Sequence, residues 1–314
     1  MPARLAIIVL AGSDPYPAPV PHGLKWEEML SGYKGSHRLP WGPCLAGELV
    51  ERVKESGRFE EPILLGPRRL YEGQVNCEIV DVDGNLMTTL RRAFQVIRSR
   101  FSLYSPIALS TCDILPTPDE IRRLLETCYD PYRKCMFWWQ LVEAQPSDLG
   151  ASAWKQSYQI HPDVGQPPKD LYPGHLFITR PGALRTSLTI RILEAAYRYR
   201  SLDIHKRHFR MIARVLGTLA AEDFRHLFLF KFPALTVSIP YHGLRAYYKL
   251  RRQQLTLPDF EYAVAKAFLR SEFHHCARGR PVVFAITQIQ SFAKDIDTKA
   301  ELAEASASMP CISD

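Results

Sequence analysis

Short apolar runs alternate with helix-like periodicity over the first 130 or so residues of the chain. Residues 4–10, 62–66 and 106–111 are continuous apolar runs, which are typical of strands buried on both faces of a sheet. Residues 45–56 and 85–101 instead carry apolar side chains at helical spacing. Because strands and helices alternate, the pattern predicts an α/β fold with a Rossmann-like, mostly parallel central sheet flanked by helices.

The second half of the sequence is less regular. Residues 134–142 and 174–179 predict two further strands, and residues 281–286 predict a late strand that closes the same sheet. Between them, residues 185–280 are basic, aromatic and largely helical in tendency. We therefore expect a helical, basic elaboration inserted before the last strand.

Length and composition agree with one large domain. The chain has 314 residues, of which 46% are hydrophobic and 23% charged, an ordinary balance for a globular protein. We expect a single α/β domain over residues 1–305, with the helical elaboration at 185–280. Residues 306–314, rich in serine and small residues, are expected to be a disordered tail.

Charge and cysteine usage limit the cellular setting. A formal charge of +7 favours an anionic partner such as a nucleotide, a nucleic acid or an acidic membrane surface. The seven cysteines are widely spaced and contain no C-x-x-C pair, which indicates a reducing compartment. The first apolar run is too short for a secretory signal, and no stretch approaches the roughly 20 apolar residues of a transmembrane helix. We expect a cytoplasmic protein.

Asp113 is the first candidate for chemistry. It closely follows the apolar run 106–111, and an unpaired carboxylate inside a parallel sheet would be costly. The side chain is best explained if it emerges into the crevice at the carboxyl ends of the strands, where ligands of open α/β sheets bind. A turn or helix-capping role is the alternative.

Six segments occur in an order that resembles the MobA-like nucleotidyltransferases, which have a glycosyltransferase-A-like fold. The resemblance spans residues 5 to 305, and no single motif decides it. These enzymes join a nucleoside triphosphate to a phosphorylated acceptor and release pyrophosphate, so the resemblance implies nucleotidyl transfer here. The segments are IIVLAGSDP (7–15), KGSHRLPWGPCLAGELVERV (34–53), PILLG (62–66), ALSTCDILPTPDEI (108–121), PGHLFITRPGAL (173–184) and DIDTKAELAEA (295–305).

The resemblance implies a nucleotide-binding loop directly after the first strand. The family pattern continues with further glycines and a nearby arginine, whereas this chain has prolines at 15, 17 and 19, which have no N–H to offer a phosphate. Gly84 and Asn85 match a second loop on the nucleotide side, although the same residues are also strong turn formers. The expected nucleotide-binding residues are Leu10, Ala11, Gly12, Ser13, Gly84 and Asn85.

A cation and a metal site complete the implied active site. The family lysine precedes an L-P-x-x-G segment, and here both Lys34 and Arg38 stand before residues 39–42. Either side chain can neutralise the transferred phosphate, or be an ordinary surface charge. Asp113 and Asp295 are expected to hold Mg²⁺ or Mn²⁺, with Asp297 capping the following helix, and the reverse assignment of these last two remains open.

Two further regions are assigned to partners. Gly174 and His175 match a family segment near the phosphorylated acceptor. Residues 224–252 mix arginines with apolar and aromatic side chains, so they either contact an anionic membrane surface or pack as a helical subdomain on the sheet. No nucleic acid is expected, because these aromatic residues match no RNA-binding motif.

Three functions remain open at this point. The first is nucleotidyl transfer from a nucleoside triphosphate to a phosphorylated small molecule or lipid precursor. The second is a nucleotide-binding or membrane-associated scaffold that has lost catalysis through the proline-rich loop. The third is a glycosyltransferase that uses a nucleotide-sugar, which the single Asp at position 113, outside any D-x-D, disfavours.

Overall fold

The structure is a computed structural model and describes residues 4–14, 20, 23–154, 157–199, 204–228, 234–274 and 279–305. The predicted tail at 306–314 and the three prolines at 15, 17 and 19 lie outside the described residues.

Strands and helices alternate along the described chain as the periodicity predicts. The strands are β1 (Ala6–Leu10), β2 (Ile63–Gly66), β3 (Glu78–Asp81), β4 (Ile107–Thr111), β5 (Phe137–Glu143), β6 (Tyr158–Ile160), β7 (Lys169–Thr179) and β8 (Val282–Thr287). The α-helices are α1 (Leu45–Glu55), α2 (Arg68–Tyr71), α3 (Leu86–Arg100), α4 (Pro118–Leu124), α5 (Thr186–Tyr199), α6 (Ile204–Phe228), α7 (Leu235–Arg251), α8 (Leu257–Phe268) and α9 (Lys299–Glu304).

The strands form one mixed sheet in the order β3-β2-β1-β4-β7-β5-β8, with β6 paired to β7. The first four strands are parallel to one another, and β5 is parallel to β8. Among the described strands, β7 alone runs in the opposite direction, since it is antiparallel to β4, β5 and β6. The predicted α/β fold with a mostly parallel central sheet is confirmed.

Both faces of the sheet are covered by helices. On β1 the side chains alternate, so that Ile7 and Val9 join the core under α1 and α4, whereas Ile8 and Leu10 join the core under α3 and α8. All four side chains are buried. A central strand that is apolar on both sides is what the uninterrupted run in the sequence predicts.

The helices after β7 pack one after another on the side of the sheet that α3 and α8 cover. Helix α5 contacts α3, α6 packs on α5, α7 packs on α6, and α8 returns to β8. A small buried cluster of Leu188, Leu219, Leu235 and Ile239 holds α5, α6 and α7 together. The elaboration thus leaves the sheet after β7 and returns to it at β8, which lies beside β5.

The loop after β1 lies directly against the start of α3. A Cβ atom on Gly12 would lie 2.6 Å from Thr89 Oγ1 and 2.9 Å from the backbone nitrogen of Leu86. Real Cβ atoms do not approach backbone so closely, so only glycine fits without a shift. Gly12 therefore sets how closely β1 and α3 approach each other.

We predict that Gly12→Ala lowers the free energy of unfolding by about 1 to 3 kcal/mol, because the new methyl group overpacks the start of α3. The matched control is Gly217→Ala in α6, where no described atom lies within 4 Å of the place that the new methyl group would take. There, better helix propensity should raise stability by up to about 1 kcal/mol. Urea denaturation measures both, and equal effects of the two substitutions would contradict the close approach.

Candidate active site

Three potential metal ligands converge beside the ends of the central strands. Asp113 follows β4, His175 lies within β7, and Asp295 lies between β8 and α9. One ligand atom from each lies within 4.8 Å of the others. His175 Nε2 is 2.6 Å from Asp295 Oδ1, and His175 Nδ1 is 4.0 Å from Asp113 Oδ1.

The reversed direction of β7 explains this convergence. Ser110 of β4 pairs with Leu176 of β7, so the middle of β7 lies beside the carboxyl end of β4. Thr111 Oγ1 lies 2.8 Å from His175 Nδ1. The N–H of Ile296 donates to the Asp113 carbonyl oxygen at 2.8 Å and so ties the segment around Asp295 to the end of β4.

The donor set fits a divalent cation. Asp113 Oδ1 is buried and forms no hydrogen bond with any described residue. A buried carboxylate oxygen without a donor is costly unless a cation takes that place. Two carboxylates and one imidazole suit Mn²⁺ well, whereas Mg²⁺ prefers oxygen ligands alone. His175, which the resemblance assigns to the acceptor, is thus placed among the expected metal ligands.

Lys34 provides a buried positive charge beside these carboxylates. It lies in a short 3₁₀ helix, and its Nζ is 2.5 Å from Asp297 Oδ1 and 3.8 Å from Asp14 Oδ2. Burial alone would lower the pKa of Lys34, but the charges of Asp297 and Asp113 outweigh it and raise that pKa above its ordinary value. Lys34 is therefore a permanent cation near neutral pH.

Asp297 faces Lys34 and does not cap α9. Burial raises the pKa of Asp297, and the charge of Asp295 raises it further, while Lys34 opposes both effects. The cap of α9 is Thr298, whose side chain accepts from the Glu301 N–H at 3.1 Å. The expectation that Asp297 caps this helix is wrong, because the next residue has the hydroxyl and the register of a capping box.

Arg38 lies apart from the carboxylates. Its side chain is exposed and donates from Nη1 to the Gly42 carbonyl oxygen at 3.2 Å. No ion pair of Arg38 is present within the described part of the chain. Of the two rivals for the basic residue, Lys34 is the one that the fold brings to the carboxylates.

The loop after β1 uses its backbone donors within the chain. The N–H of Ala11 donates to Leu65 at 2.8 Å, that of Ser13 to Gly84 at 2.7 Å, and that of Asp14 to Gly32 at 2.6 Å, each to a carbonyl oxygen. Leu10 is buried at the end of β1. The predicted nucleotide loop is thus next to the second predicted loop, but these three donors are already engaged in this conformation.

Gly84 and Asn85 shape the start of α3. Gly84 has a φ of +147° and donates its N–H to the Tyr33 hydroxyl at 3.0 Å, and Tyr33 in turn donates to Asp83. Asn85 caps α3, because its side chain accepts from the Thr88 N–H at 3.0 Å. Both residues are therefore positioned beside Ser13, with which Asn85 forms a parallel bridge.

Gly174 makes room for a neighbouring side chain. A Cβ atom there would lie 2.5 Å from Gln140 Nε2, and Trp139 Nε1 donates to the Gly174 carbonyl oxygen at 2.6 Å. The close approach that the glycine permits is thus to Gln140 of the adjacent strand β5. Gly174 and His175 are adjacent in sequence but serve different faces of β7.

Three residues at the site were not singled out from the sequence. Thr111 lies beside His175, and its hydroxyl at the end of the apolar run 106–111, just before Asp113, is the one local sequence signal for it. Asp14 lies near Lys34, and Tyr197 of α5 donates its hydroxyl to Asp14 Oδ1 at 3.2 Å. No local pattern marks Tyr197, since it reaches the site only through the packing of α5.

Comparison with solved structures identifies the fold. A hypothetical transferase from Thermus thermophilus matches with a TM-score of 0.55 and 16% identity, over 96% of this chain and 100% of that one. CMP:2-keto-3-deoxy-manno-octonic acid synthetase in complex with CTP matches at 0.40 and 9%, over 69% and 86%. The 2-C-methyl-D-erythritol 4-phosphate cytidylyltransferase of Francisella tularensis matches at 0.35 and 12%, over 62% and 79%.

The first of these likenesses carries the fold assignment, since it covers nearly the whole of both chains. It confirms over nearly the full chain the α/β fold with a mixed, mostly parallel central sheet flanked by helices. No protein-family model matches the sequence, and no curated protein matches it either.

We predict that Lys34→Met destabilises the fold by about 3 to 5 kcal/mol in EDTA, because it leaves Asp297 buried without a counter-charge. Arg38→Met, the control, should change the free energy of unfolding by no more than about 0.5 kcal/mol. Adding Asp297→Asn to Lys34→Met should recover part of the loss. Urea denaturation of the parent protein, Lys34→Met, Asp297→Asn, the double variant and Arg38→Met tests this, and additive effects of Lys34→Met and Asp297→Asn would contradict the buried pair.

Proposed function

We propose that this protein is a divalent-metal-dependent nucleotidyltransferase that moves a nucleoside monophosphate from a nucleoside triphosphate to a phosphorylated acceptor. The observation that carries the proposal is the convergence of Asp113, His175 and Asp295 at the sheet edge where α/β proteins bind ligands. An acceptor phosphate oxygen attacks the α-phosphorus, the bond from that phosphorus to the bridging oxygen breaks, and pyrophosphate leaves with the electron pair.

Asp113, Asp295 and His175 would hold the cation. A bound Mg²⁺ or Mn²⁺ would neutralise phosphate charge and align the reacting groups. Thr111 supports this assignment, because its hydroxyl contact to Nδ1 leaves His175 Nε2 directed towards Asp295. The inclusion of an imidazole favours Mn²⁺ over Mg²⁺ in the choice between the two expected ions.

Lys34 would stabilise the negative charge that develops on the transferred phosphate. Its buried ammonium is fixed by Asp297 at 2.5 Å, so little reorganisation accompanies the reaction. Asp14 lies on the other side of this ammonium and is itself held by Tyr197. The chain's overall charge of +7 favours the approach of anionic substrates.

The donors of the loop after β1 favour a second candidate, a protein that binds a nucleotide without turning it over. The N–H groups of Ala11, Ser13 and Asp14 all donate to carbonyl oxygens within the chain. Triphosphate binding in the usual manner would require this loop to exchange those bonds for phosphate oxygens. The two candidates differ in turnover, so one assay separates them.

With Mn²⁺ and a panel of phosphorylated acceptors, we expect at least one nucleoside triphosphate to release pyrophosphate. Asp113→Asn should lower the rate of this release at least about 100-fold. Asp163→Asn is the control and should retain activity, because the Asp163 carboxylate is exposed and does not belong to the three-ligand cluster. Thermal stabilisation by a nucleotide without any pyrophosphate release would instead support the non-catalytic candidate. Mass spectrometry of the products identifies the nucleotide-acceptor adduct.

We predict that His175→Asn weakens Mn²⁺ binding about 10-fold or more and Mg²⁺ binding less, because a nitrogen ligand is lost. His161→Asn is the matched control, since His161 lies 2.6 Å from the Gln166 carbonyl oxygen and has no part in the three-ligand cluster. Isothermal titration calorimetry of the protein after EDTA treatment measures both ions. Equal affinities of His175→Asn and the parent protein for Mn²⁺ would remove His175 from the proposed ligand set.

A further inference from the structure

Helix α7 is apolar on two opposite faces. Its inner side chains Leu235 and Ile239 are buried against α5 and α6. Four other apolar or aromatic residues follow each other at intervals of four, three and four, which places them on one stripe of a helix. These outward residues are Val237 (74% exposed), Tyr241 (59%), Leu244 (66%) and Tyr248 (53%).

This exposed stripe continues onto α8. The ring of Tyr241 lies 5.1 Å from that of His242, and His242 lies 5.2 Å from Tyr262 of α8, both measured between ring centroids. Tyr262 is itself half exposed. We call the surface formed by Val237, Tyr241, Leu244, Tyr248 and Tyr262 the outer face of α7. A contiguous exposed apolar surface of this kind marks an interaction site.

The unpaired charges that α7 and the residue after it place beside the outer face are positive. Residues 235–251 contain neither aspartate nor glutamate. Lys249 is neutralised by Asp259 at 2.7 Å, but Arg245, Arg251 and Arg252 form no ion pair with any residue that the structure describes. The Arg252 guanidinium lies 4.2 Å from the centroid of the Tyr248 ring, which holds the cation at the border of the apolar surface.

We infer that the outer face of α7 docks onto the surface of an anionic lipid bilayer. Apolar side chains would enter the boundary between head groups and acyl chains, tyrosines would lie at head-group level, and the arginines would contact lipid phosphates. Within the described residues no helix is both long and apolar enough to cross a bilayer. The exposed stripe runs along α7 while the opposite side of the helix packs on α5 and α6, so the helix would lie in the plane of the interface.

Charge complementarity selects the bilayer over a second copy of this chain. Two outer faces packed on each other would bring Arg245, Arg251 and Arg252 of each copy close to the same cations of the other copy, without an acidic side chain on α7 to pair with them. An anionic lipid surface supplies the missing negative charge. This inference does not depend on nucleotidyl transfer, since none of the residues involved lies at the proposed active site.

Vesicle sedimentation of the full chain tests the inference. Vesicles of phosphatidylcholine mixed equally with phosphatidylglycerol should retain the protein at low salt, with a partition coefficient at least about tenfold above that for phosphatidylcholine alone. Raising the salt concentration should reduce this difference, because the electrostatic part is screened. Failure of the anionic vesicles to retain the protein at low salt overturns the inference.

Matched variants assign the binding to the outer face. Tyr241→Ser/Leu244→Ser should lower the partition coefficient about tenfold or more, whereas Tyr104→Ser/Val164→Ser, which removes side chains at least as exposed elsewhere, should not. Arg251→Gln/Arg252→Gln should lower it about fivefold or more, with the exposed pair Arg92→Gln/Arg123→Gln as the charge-matched control. Equal losses in test and control variants overturn the assignment.

Folding and self-association are measured on the same proteins. Thermal denaturation should be unchanged in the arginine variants, because their side chains are exposed, so these variants decide the matter even if Tyr241→Ser/Leu244→Ser destabilises the fold. Light scattering without lipid should give a monomer at every concentration used for sedimentation. A dimer that Leu244→Ser dissociates would identify a second copy as the occupant and overturn the bilayer inference.

Discussion

The structure depends on the neutralisation of carboxylates that crowd together at one edge of the sheet. Asp113, Asp295 and Asp297 all reach the same edge of the sheet, where like charges in a medium of low polarity destabilise the fold unless they are neutralised. The ammonium of Lys34 neutralises Asp297, and Gly35 lets the lysine's backbone pack closely, since a Cβ there would lie 2.8 Å from Cys112 Sγ. Asp113 and Asp295 face His175, and a divalent cation at that position would balance their charge.

One reversed strand makes this arrangement possible. In a wholly parallel sheet, only residues beyond the strand ends meet at the ligand-binding edge. Because β7 is antiparallel to β4, His175 near the middle of β7 lies beside the carboxyl end of β4. The elaboration that follows β7 then reaches back to the same edge, where Tyr197 of α5 contacts Asp14. Helix α5 of the elaboration is thus in direct contact with the candidate site, and α7 of the same elaboration presents its outer face to solvent.

Much of the fold follows from local patterns, whereas the candidate site follows from them only in part. Continuous apolar runs identify β1, β2 and β4, and the capping box at Thr117 marks the start of α4. Asp113 could be selected because a carboxylate ends a buried strand. The position of His175 beside Asp113 and Asp295 could not be predicted, because strand direction and register are set by long-range pairing. Which of Lys34 and Arg38 lies at the site depends on burial, which the local sequence does not specify. The cap of α9 is Thr298 and not Asp297, a difference of one residue in where the helix begins.

The most direct test of the account is anomalous diffraction from a crystal of the protein soaked with MnCl₂. The account predicts a single strong manganese peak between Asp113, His175 and Asp295, with Lys34 still bonded to Asp297. A manganese peak bound elsewhere, or no peak while His175 keeps its contact to Asp295, would contradict the claim that these carboxylates gather to hold a cation.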